Sequence, residues 1–340
     1  MLRLLKTNAL AIGRGLGIFG MAARSRWRRE RLLILCYHGI SLKDEHQWRN
    51  LFVTPDFFRR RLETLARLRY RVLPLSEALR LLREGSLPPK SVAITFDDGF
   101  HDFHEVAFPL LTRFGFPSTV YQATYYSDYP HPVFNLVLSY LFWRGGGRPL
   151  DGAACGVPGR FDLSTEEERA RAVDALLEFA HRGGFTIAQK DELAARIARE
   201  FGVDYAEILR RRMLQLMTAG QIAEIAAGGV DVELHTHRHC TPLDEQLFVR
   251  EIRDNRQWLE RAMGGRAEHF CYPSGQYREE FLPWLRAEHV VSATTCDLGF
   301  ATRACEPLLL PRLLDSMAVT DVNFEGWLAG VSALLPQRRG

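Results

Sequence analysis

The feature that most constrains this chain is an alternation. From residue 32 onward, short apolar runs alternate with stretches of helical periodicity. A strand that shows one face to water alternates apolar and polar residues, whereas a strand buried on both faces is apolar throughout. Leu32 to Tyr37 and Val92 to Phe96 are runs of the second kind, and Ser118 to Ala123, Val230 to Leu234, His269 to Tyr272 and Val290 to Thr294 read as further strands. Helical signals lie between them. Thr54 followed by Pro55 predicts an N-cap with proline in the first turn, on a helix ending near Tyr70 that carries Phe58, Leu62, Leu65 and Arg69 along one face. Val72 to Leu75 is expected as a short strand and Ser76 as the cap of a helix to Glu84. A longer helix from Asp244 to Met263 presents Phe248, Ile252, Leu259 and Met263 on one side. Strands alternating with helices imply βαβ units, a parallel sheet and the α/β class.

The rhythm fails between Tyr125 and Thr218, where an aromatic run (Phe134 to Trp143), a glycine loop (Gly145 to Gly147) and a charged helical stretch from Thr165 to about Arg212 replace it. An inserted helical subdomain is expected there, its charges forming the wet face of helices. It reads either as a lid over the site or as a self-contained decoration. The start of the chain is different again. Residues 1 to 31 carry eight basic side chains and one acid, a net charge of +7 in a chain whose total is +3, so the remaining 309 residues sum to −4. An acidic body excludes a general nucleic-acid binder, which needs concentrated Lys and Arg. The apolar stretch Ala9 to Ala23, broken by Arg14 and four glycines, is shorter than the roughly 20 residues that span a bilayer. It reads as an amphipathic leader on an anionic membrane surface or as a solvated basic leader, on a protein expected in the cytoplasm or at the inner membrane. Six cysteines without C-x-x-C spacing read as reduced, packed thiols.

In α/β folds ligands sit at the carboxyl ends of strands, so polar residues that follow an apolar run carry the chemistry. Two such junctions matter most. Thr95-Phe96-Asp97-Asp98-Gly99 ends one strand with paired carboxylates, and His235-Thr236-His237-Arg238-His239 follows another with three of the chain's eleven histidines. Imidazoles four apart on a helical turn point at one ion, and a carboxylate completes a two-His, one-Asp site with positions open to water and substrate. The second carboxylate is then free for proton transfer. Taken singly, Asp-Gly is a common turn and the histidines a surface cluster. Nothing here has the pattern of a phosphate loop, a serine nucleophile elbow or a dinucleotide fingerprint.

These residues resemble the polysaccharide deacetylases of the NodB-homology type, carbohydrate esterase family 4. The family's T-F-D-D-G motif is matched at Thr95 to Gly99 and its H-[ST]-x-x-H motif at His235 to His239. The resemblance implies that Asp97 is the general base and that Asp98, His235 and His239 hold a divalent metal, zinc first and cobalt next. His237 and Arg238 fall on variable positions. The implied fold is a distorted (β/α) barrel over residues 32–124 and 218–315, with a leader at 1–31, an insert at 125–217 outside the resemblance, and a C-terminal segment at 316–340.

Two motifs depart from the family. Where it often has R-x-P-[YF], with the arginine pairing the catalytic aspartate, this chain reads Cys271-Tyr272-Pro273-Ser274. The Ser274 backbone N–H occupies the position that helps to hold the oxyanion, with a plain Pro-Ser-Gly turn as the alternative. The L-x-H motif of the general acid is replaced by Leu310-Pro311-Arg312-Leu313, where Arg312 reads first as an ordinary ion-pair partner and second as a site residue. His38 resembles the Y-H that opens one subgroup, and it ranks first as the acid, ahead of His101 and His104. The implied activity is metal-dependent removal of an N-acyl group, acetyl first, from an amino sugar in a glycan. The alternatives are deformylation of a lipid-linked amino sugar and a non-catalytic carbohydrate-binding relic.

Overall fold

The computed structural model describes residues 2–335. Met1 and residues 336–340, the end of the expected C-terminal segment, lie outside it, and residues 2–6 are described by their backbone alone.

Seven strands form a closed parallel barrel: β1 (Arg31–Tyr37), β2 (Ser91–Phe96), β3 (Thr119–Gln122), β4 (Asp231–Leu234), β5 (His269–Cys271), β6 (Ser292–Leu298) and β7 (Leu310–Leu314). Their order around the barrel is their order in the chain, and β1 closes it by pairing with both β7 and β2. Closure explains the continuous apolar runs. Leu33, Leu35, Tyr37, Val92, Ile94 and Phe96 belong to the large cluster that also holds Phe58, Leu62 and Leu65, while Leu32, Ile34 and Ala93 bury their side chains in another cluster across the sheet with Tyr121 and Cys271. This is the distorted (β/α) barrel expected from the sequence.

The α-helices of seven or more residues are α1 (Leu2–Gly15), α2 (Ile18–Arg24), α3 (Pro55–Arg67), α4 (Leu75–Glu84), α5 (Phe108–Phe114), α6 (Phe134–Arg144), α7 (Glu166–Arg182), α8 (Ile187–Phe201), α9 (Ala219–Ala227), α10 (Glu245–Met263), α11 (Phe281–Ala287) and α12 (Asp321–Ala329). Thr54 caps α3 by accepting from the Phe57 N–H, and Asp244 caps α10 by accepting from Leu247. Ser76 does not cap α4. That helix begins at Leu75 after Pro74, and the Ser76 hydroxyl instead meets His269 Nε2 at 2.9 Å. The expected strand at Val72 to Leu75 shortens to the pair Arg71–Val72 on the edge of β2.

Sequence reasoning missed β7. Pro311 and Arg312 interrupt its apolar run, and proline argues against a central strand because it cannot donate to the ladder. The structure accommodates it where the β6–β7 register is itself irregular, between Thr294 and Leu298.

The insert has a core of its own, built from α6, α7 and α8, that continues into Phe52, Phe100 and Ala123 of the barrel side. Its two ends are tied together by the Val133 N–H donating to the Leu214 carbonyl at 2.9 Å, and Met217 N–H donates to Gly99 O at 2.9 Å, beside the paired aspartates. Residues 7–31 pack against the body of the protein. Leu10, Phe19 and Ala23 are buried against Val322 and Ala329 of α12. Arg28 is buried and donates to the carbonyls of Leu328, Arg31 and Ser91, and burial pushes its pKa down to about 10. All six cysteines are free thiols, but Cys240 and Cys296 are exposed, so only part of the set is packed as expected.

Candidate active site

Residues Thr95 to Gly99 leave the barrel at the carboxyl end of β2, and strand alternation decides the first carboxylate. Thr95 and Asp97 are two apart, so both face inward. Both are buried and both meet one cation, the guanidinium of Arg312 on β7. Arg312 grips Asp97 with both arms, Nη1 to Oδ1 at 2.7 Å and Nη2 to Oδ2 at 2.7 Å, while Nη1 lies 3.2 Å from Thr95 Oγ1 and Nε donates to the Thr295 carbonyl at 2.9 Å. Alternation alone would send Asp98 outward. Its backbone is left-handed (φ 69°), which turns the carboxylate into the cavity instead, and Gly99 follows with φ 78°. A side chain at position 99 would collide with the Gln122 carboxamide, its Cβ falling 1.9 Å from Oε1.

The Asp98 carboxylate faces both expected imidazoles. Oδ1 lies 3.2 Å from His235 Nε2 and 3.1 Å from His239 Nε2, and the two rings stand 4.9 Å apart at 67°. They are not on a helical turn as the spacing suggested. Residues 235–240 form a loop in which Thr236 (φ 61°) and His239 (φ 55°) are left-handed, and this folds the second imidazole back toward the first. Four of the nine positive-φ non-glycine residues described, Asp98, Thr236, His239 and Ser274, belong to the site, the usual place for backbone held in a sparsely populated region.

The donor set fits a divalent metal. One carboxylate oxygen and two imidazole nitrogens lie within 4.8 Å of one another. His235 Nδ1–H donates to the Cys271 carbonyl at 2.8 Å, which fixes the ring and leaves Nε2 free to act as a ligand atom. Two imidazoles and a carboxylate suit zinc and cobalt. His237 takes no part: its Nδ1 pairs with Thr124 Oγ1 at 2.8 Å, and its ring packs on Tyr125.

Electrostatics separate the two carboxylates. Burial works to raise the Asp97 pKa, but the charge and paired hydrogen bonds of Arg312 outweigh it and hold the carboxyl below the usual carboxylate range. Burial also acts upward on Asp98, where His239 and the hydrogen bonds from His235 and His239 win. His38, at the end of β1, places Nε2 3.7 Å from Asp97 Oδ2 and buries Nδ1 without a hydrogen-bond partner. Burial lowers its pKa against the pull of Asp97 and Asp98, so the ring is neutral at pH 7. Cys36 and Cys271 point their thiols at the same Asp97 oxygen, at 3.5 and 3.4 Å.

Asp97, Asp98, His38, His235, His239 and Ser274 line one cavity of about 520 Å³. The insert lines it too, with Val133, Phe134, Asn135, Leu136, Leu177 and Lys190. His101 and His104 are not among the lining residues. His101 Nδ1 pairs with Gln221 at 2.9 Å and His104 Nε2 with Glu224 at 2.9 Å. Arg312 is the correction of most consequence, since it is the cation that sequence reasoning thought missing. The family's arginine position is Cys271, and the small thiol leaves room for Arg312 Nη2, which lies 3.2 Å from Cys271 Sγ. An arginine inside the run Leu308 to Leu314 was itself the signal, because such a charge stays buried only with a partner.

The family model "Polysaccharide deacetylase" matches residues 184–289, a stretch that includes His235 to His239 and lies downstream of Asp97 and Asp98. The poly-beta-1,6-N-acetyl-D-glucosamine N-deacetylase of Staphylococcus epidermidis is 26% identical over 110 residues, 29% of this chain and 38% of that protein. The chain spans about a third of the length of the curated relatives it matches. Among solved structures, the Streptococcus pyogenes deacetylase PplD in complex with acetate superposes with TM-score 0.58 at 20% identity, covering 86% of this chain and 96% of that one. IcaB from Ammonifex degensii superposes with TM-score 0.54 at 17% identity, covering 89% and 97%. At those identities the likeness shows the fold, and the motifs at the mouth of that fold supply the rest. With the T-F-D-D-G and H-T-H-R-H segments converging on one cavity of a closed seven-stranded barrel, the chain is similar in fold and in both motifs to the polysaccharide deacetylases of the NodB-homology type.

Proposed function

We propose that the protein is a metal-dependent amidohydrolase that removes an N-acyl group, acetyl first, from an amino sugar of a glycan. The observation that carries this reading is the division of two adjacent carboxylates: Asp98 shares its oxygen with two imidazoles while Asp97, buried beside it, is paired with Arg312. A divalent cation held by Asp98, His235 and His239 supplies Lewis acidity for an amide carbonyl and for water. Asp97, kept ionised by Arg312, accepts the proton of the attacking water. His38 Nε2, 3.7 Å from Asp97 Oδ2, is placed to pass that proton to the departing sugar amine. The Ser274 N–H is the candidate donor to the carbonyl oxygen as it gains charge. The test is acetate release from N-acetylated oligosaccharides by the metal-loaded chain, with and without chelator. Chelator-sensitive release supports the reading, formate release from an N-formyl substrate in its place moves it to the deformylase, and binding without release of either makes the barrel a carbohydrate-binding relic.

A second reading concerns the other end of the molecule, where α1 and α2 expose Ile12 (64%), Leu16 (71%), Ile18 (40%) and Met21 (68%) beside Arg14, Arg24, Arg26 and Arg29. No described helix is long and apolar enough to cross a membrane. An apolar face rimmed by arginines suits the surface of an anionic bilayer, and we propose that this face seats there. The protein should cosediment with phosphatidylglycerol vesicles at low salt and not with phosphatidylcholine. Replacing Ile12, Leu16 and Met21 by serine should abolish it, and vesicle binding that ignores either change would remove this reading.

A further inference from the structure

The cavity has a charge feature that hydrolysis of an amide does not use. Two cations line it besides Arg238: Lys190, on α8 of the insert, and Arg49, which follows the short helix Glu45–Trp48. Neither has an ion-pair partner among the described residues. The Arg49 guanidinium lies over the Trp48 ring, 4.6 Å from its centroid, and makes one long contact of 3.4 Å to the Ser139 hydroxyl. Glu166 and Asp98 act on it through space without touching it. A neighbouring arginine is spent differently. Arg238, which lines the same cavity, is committed to Glu251 at 2.6 Å and Asp254 at 3.6 Å. A cation held against an aromatic ring at a cavity wall, its forked donors free, is an anion receptor waiting for a carboxylate or a phosphate.

Arg49 also lines an adjoining cavity of about 370 Å³ on the insert side, so it stands at the junction between the catalytic pocket and a further recess bounded by Trp143 and Asp174. An anion bound there would sit next to the amide under attack, on the same sugar or on its neighbour. Neutral N-acetylated sugars offer these cations hydroxyl and carbonyl acceptors but no counter-charge.

We propose that the substrate is an acidic amino-sugar glycan, whose carboxylate or phosphate is held by Arg49 and Lys190 while the N-acyl group faces Asp98, His235 and His239. This rests on the deacylase reading for the orientation of the sugar but not for the anion site itself. The experiment measures Kd by calorimetry on the metal-loaded full chain with four probes: N-acetylglucosamine, its 1-phosphate, its 6-phosphate and 2-acetamido-2-deoxyglucuronate. At least one anionic probe should bind about 10-fold or more tightly than the neutral sugar, and the phosphate and uronate arms identify the source of the charge. In Arg49→Gln/Lys190→Gln that preference should collapse toward one. Because the metal also attracts anions, the change in the preference is the readout rather than the preference itself. Equal affinity for all four probes overturns the proposal, as does a preference that survives the double substitution. Acyl release is followed in parallel: anionic preference without release of any acyl group defeats the deacylase reading and leaves the anion site standing, whereas release with no anionic preference does the reverse.

Discussion

Asp97 and Asp98 are neighbours in the chain and opposites in surroundings. Asp97 has a side-chain exposure of 3% and is gripped on both oxygens by an arginine that is itself 1% exposed. Asp98 has 17% exposure and shares one oxygen with two imidazoles that open onto the cavity. The difference is produced by the backbone: strand alternation carries Asp97 inward, and one left-handed residue turns Asp98 away from it. On the proposed reading, a pair of identical side chains thereby becomes a proton acceptor and a ligand. The lesson is that a motif assigns chemistry only once the conformation between its residues is known.

The contrast breaks most completely at the ligand side. Asp98→Ala, His235→Ala and His239→Ala should each lower metal content, read by elemental analysis, and reduce acyl release to background, because the ion that activates water is gone. The inward side should behave otherwise. Asp97→Asn is nearly isosteric and leaves all three ligands in place, so metal stays near stoichiometric while turnover falls by a factor on the order of 10²–10⁴. Metal lost from Asp97→Asn and retained by Asp98→Ala would exchange the two roles.

Arg312 sharpens the comparison by a smaller step. Arg312→Lys keeps a charge but cannot grip both oxygens, so the Asp97 pKa rises toward the ordinary carboxylate value. The sign follows from which form is required. The base acts ionised, a depressed pKa keeps it ionised to low pH, and the acid limb of the rate profile should therefore move to higher pH in the variant. The same logic governs stability. The pair stabilises the fold above the unfolded carboxyl pKa and ceases to do so as pH falls through the lower, folded value. Removing one partner of a buried pair costs about 3–5 kcal/mol. Arg312→Met should thus unfold at lower temperature than Arg312→Lys near neutral pH, and an unmoved acid limb in Arg312→Lys would show that Arg312 holds the strands together without tuning the base.

How much of this was legible in the sequence varies with the kind of information each part needs. Six of the seven barrel strands could be read because burial on both faces leaves an apolar run, and that is a local property. β7 could not, since Pro311 and Arg312 violate the local rule and are tolerated only through an irregular β6–β7 register and a carboxylate 215 residues away in sequence. The side chains that converge on the cavity were legible as motifs. The path between them was not: a four-residue spacing suggested a helical turn, and left-handed Thr236 and His239 achieve the convergence without one. The insert was recognisable by where the strand rhythm stops. That its α6, α7 and α8 supply a cavity wall depends on packing against Phe52 and Phe100, which no window of sequence contains.

His237 gives the smallest and most discriminating effect. It lies between the two ligands in sequence and lines the same cavity, so a reading by proximity would make it a third ligand. Its Nδ1 is engaged by Thr124 Oγ1 at 2.8 Å, its backbone N–H donates to the Glu251 carbonyl at 3.1 Å, and its ring rests edge-on against Tyr125 at 5.6 Å. These contacts hold the loop that carries His235 and His239 and engage the His237 ring elsewhere than with Asp98. His237→Ala forfeits one side-chain hydrogen bond and a ring contact, worth about 1 kcal/mol together, and should lower the melting temperature by a few degrees at most. Metal content should be unchanged, and kcat should fall by less than about threefold, through looser support of His235 and His239. If His237→Ala instead loses the metal as His239→Ala does, the ion is held by three imidazoles and the division between Asp97 and Asp98 must be redrawn.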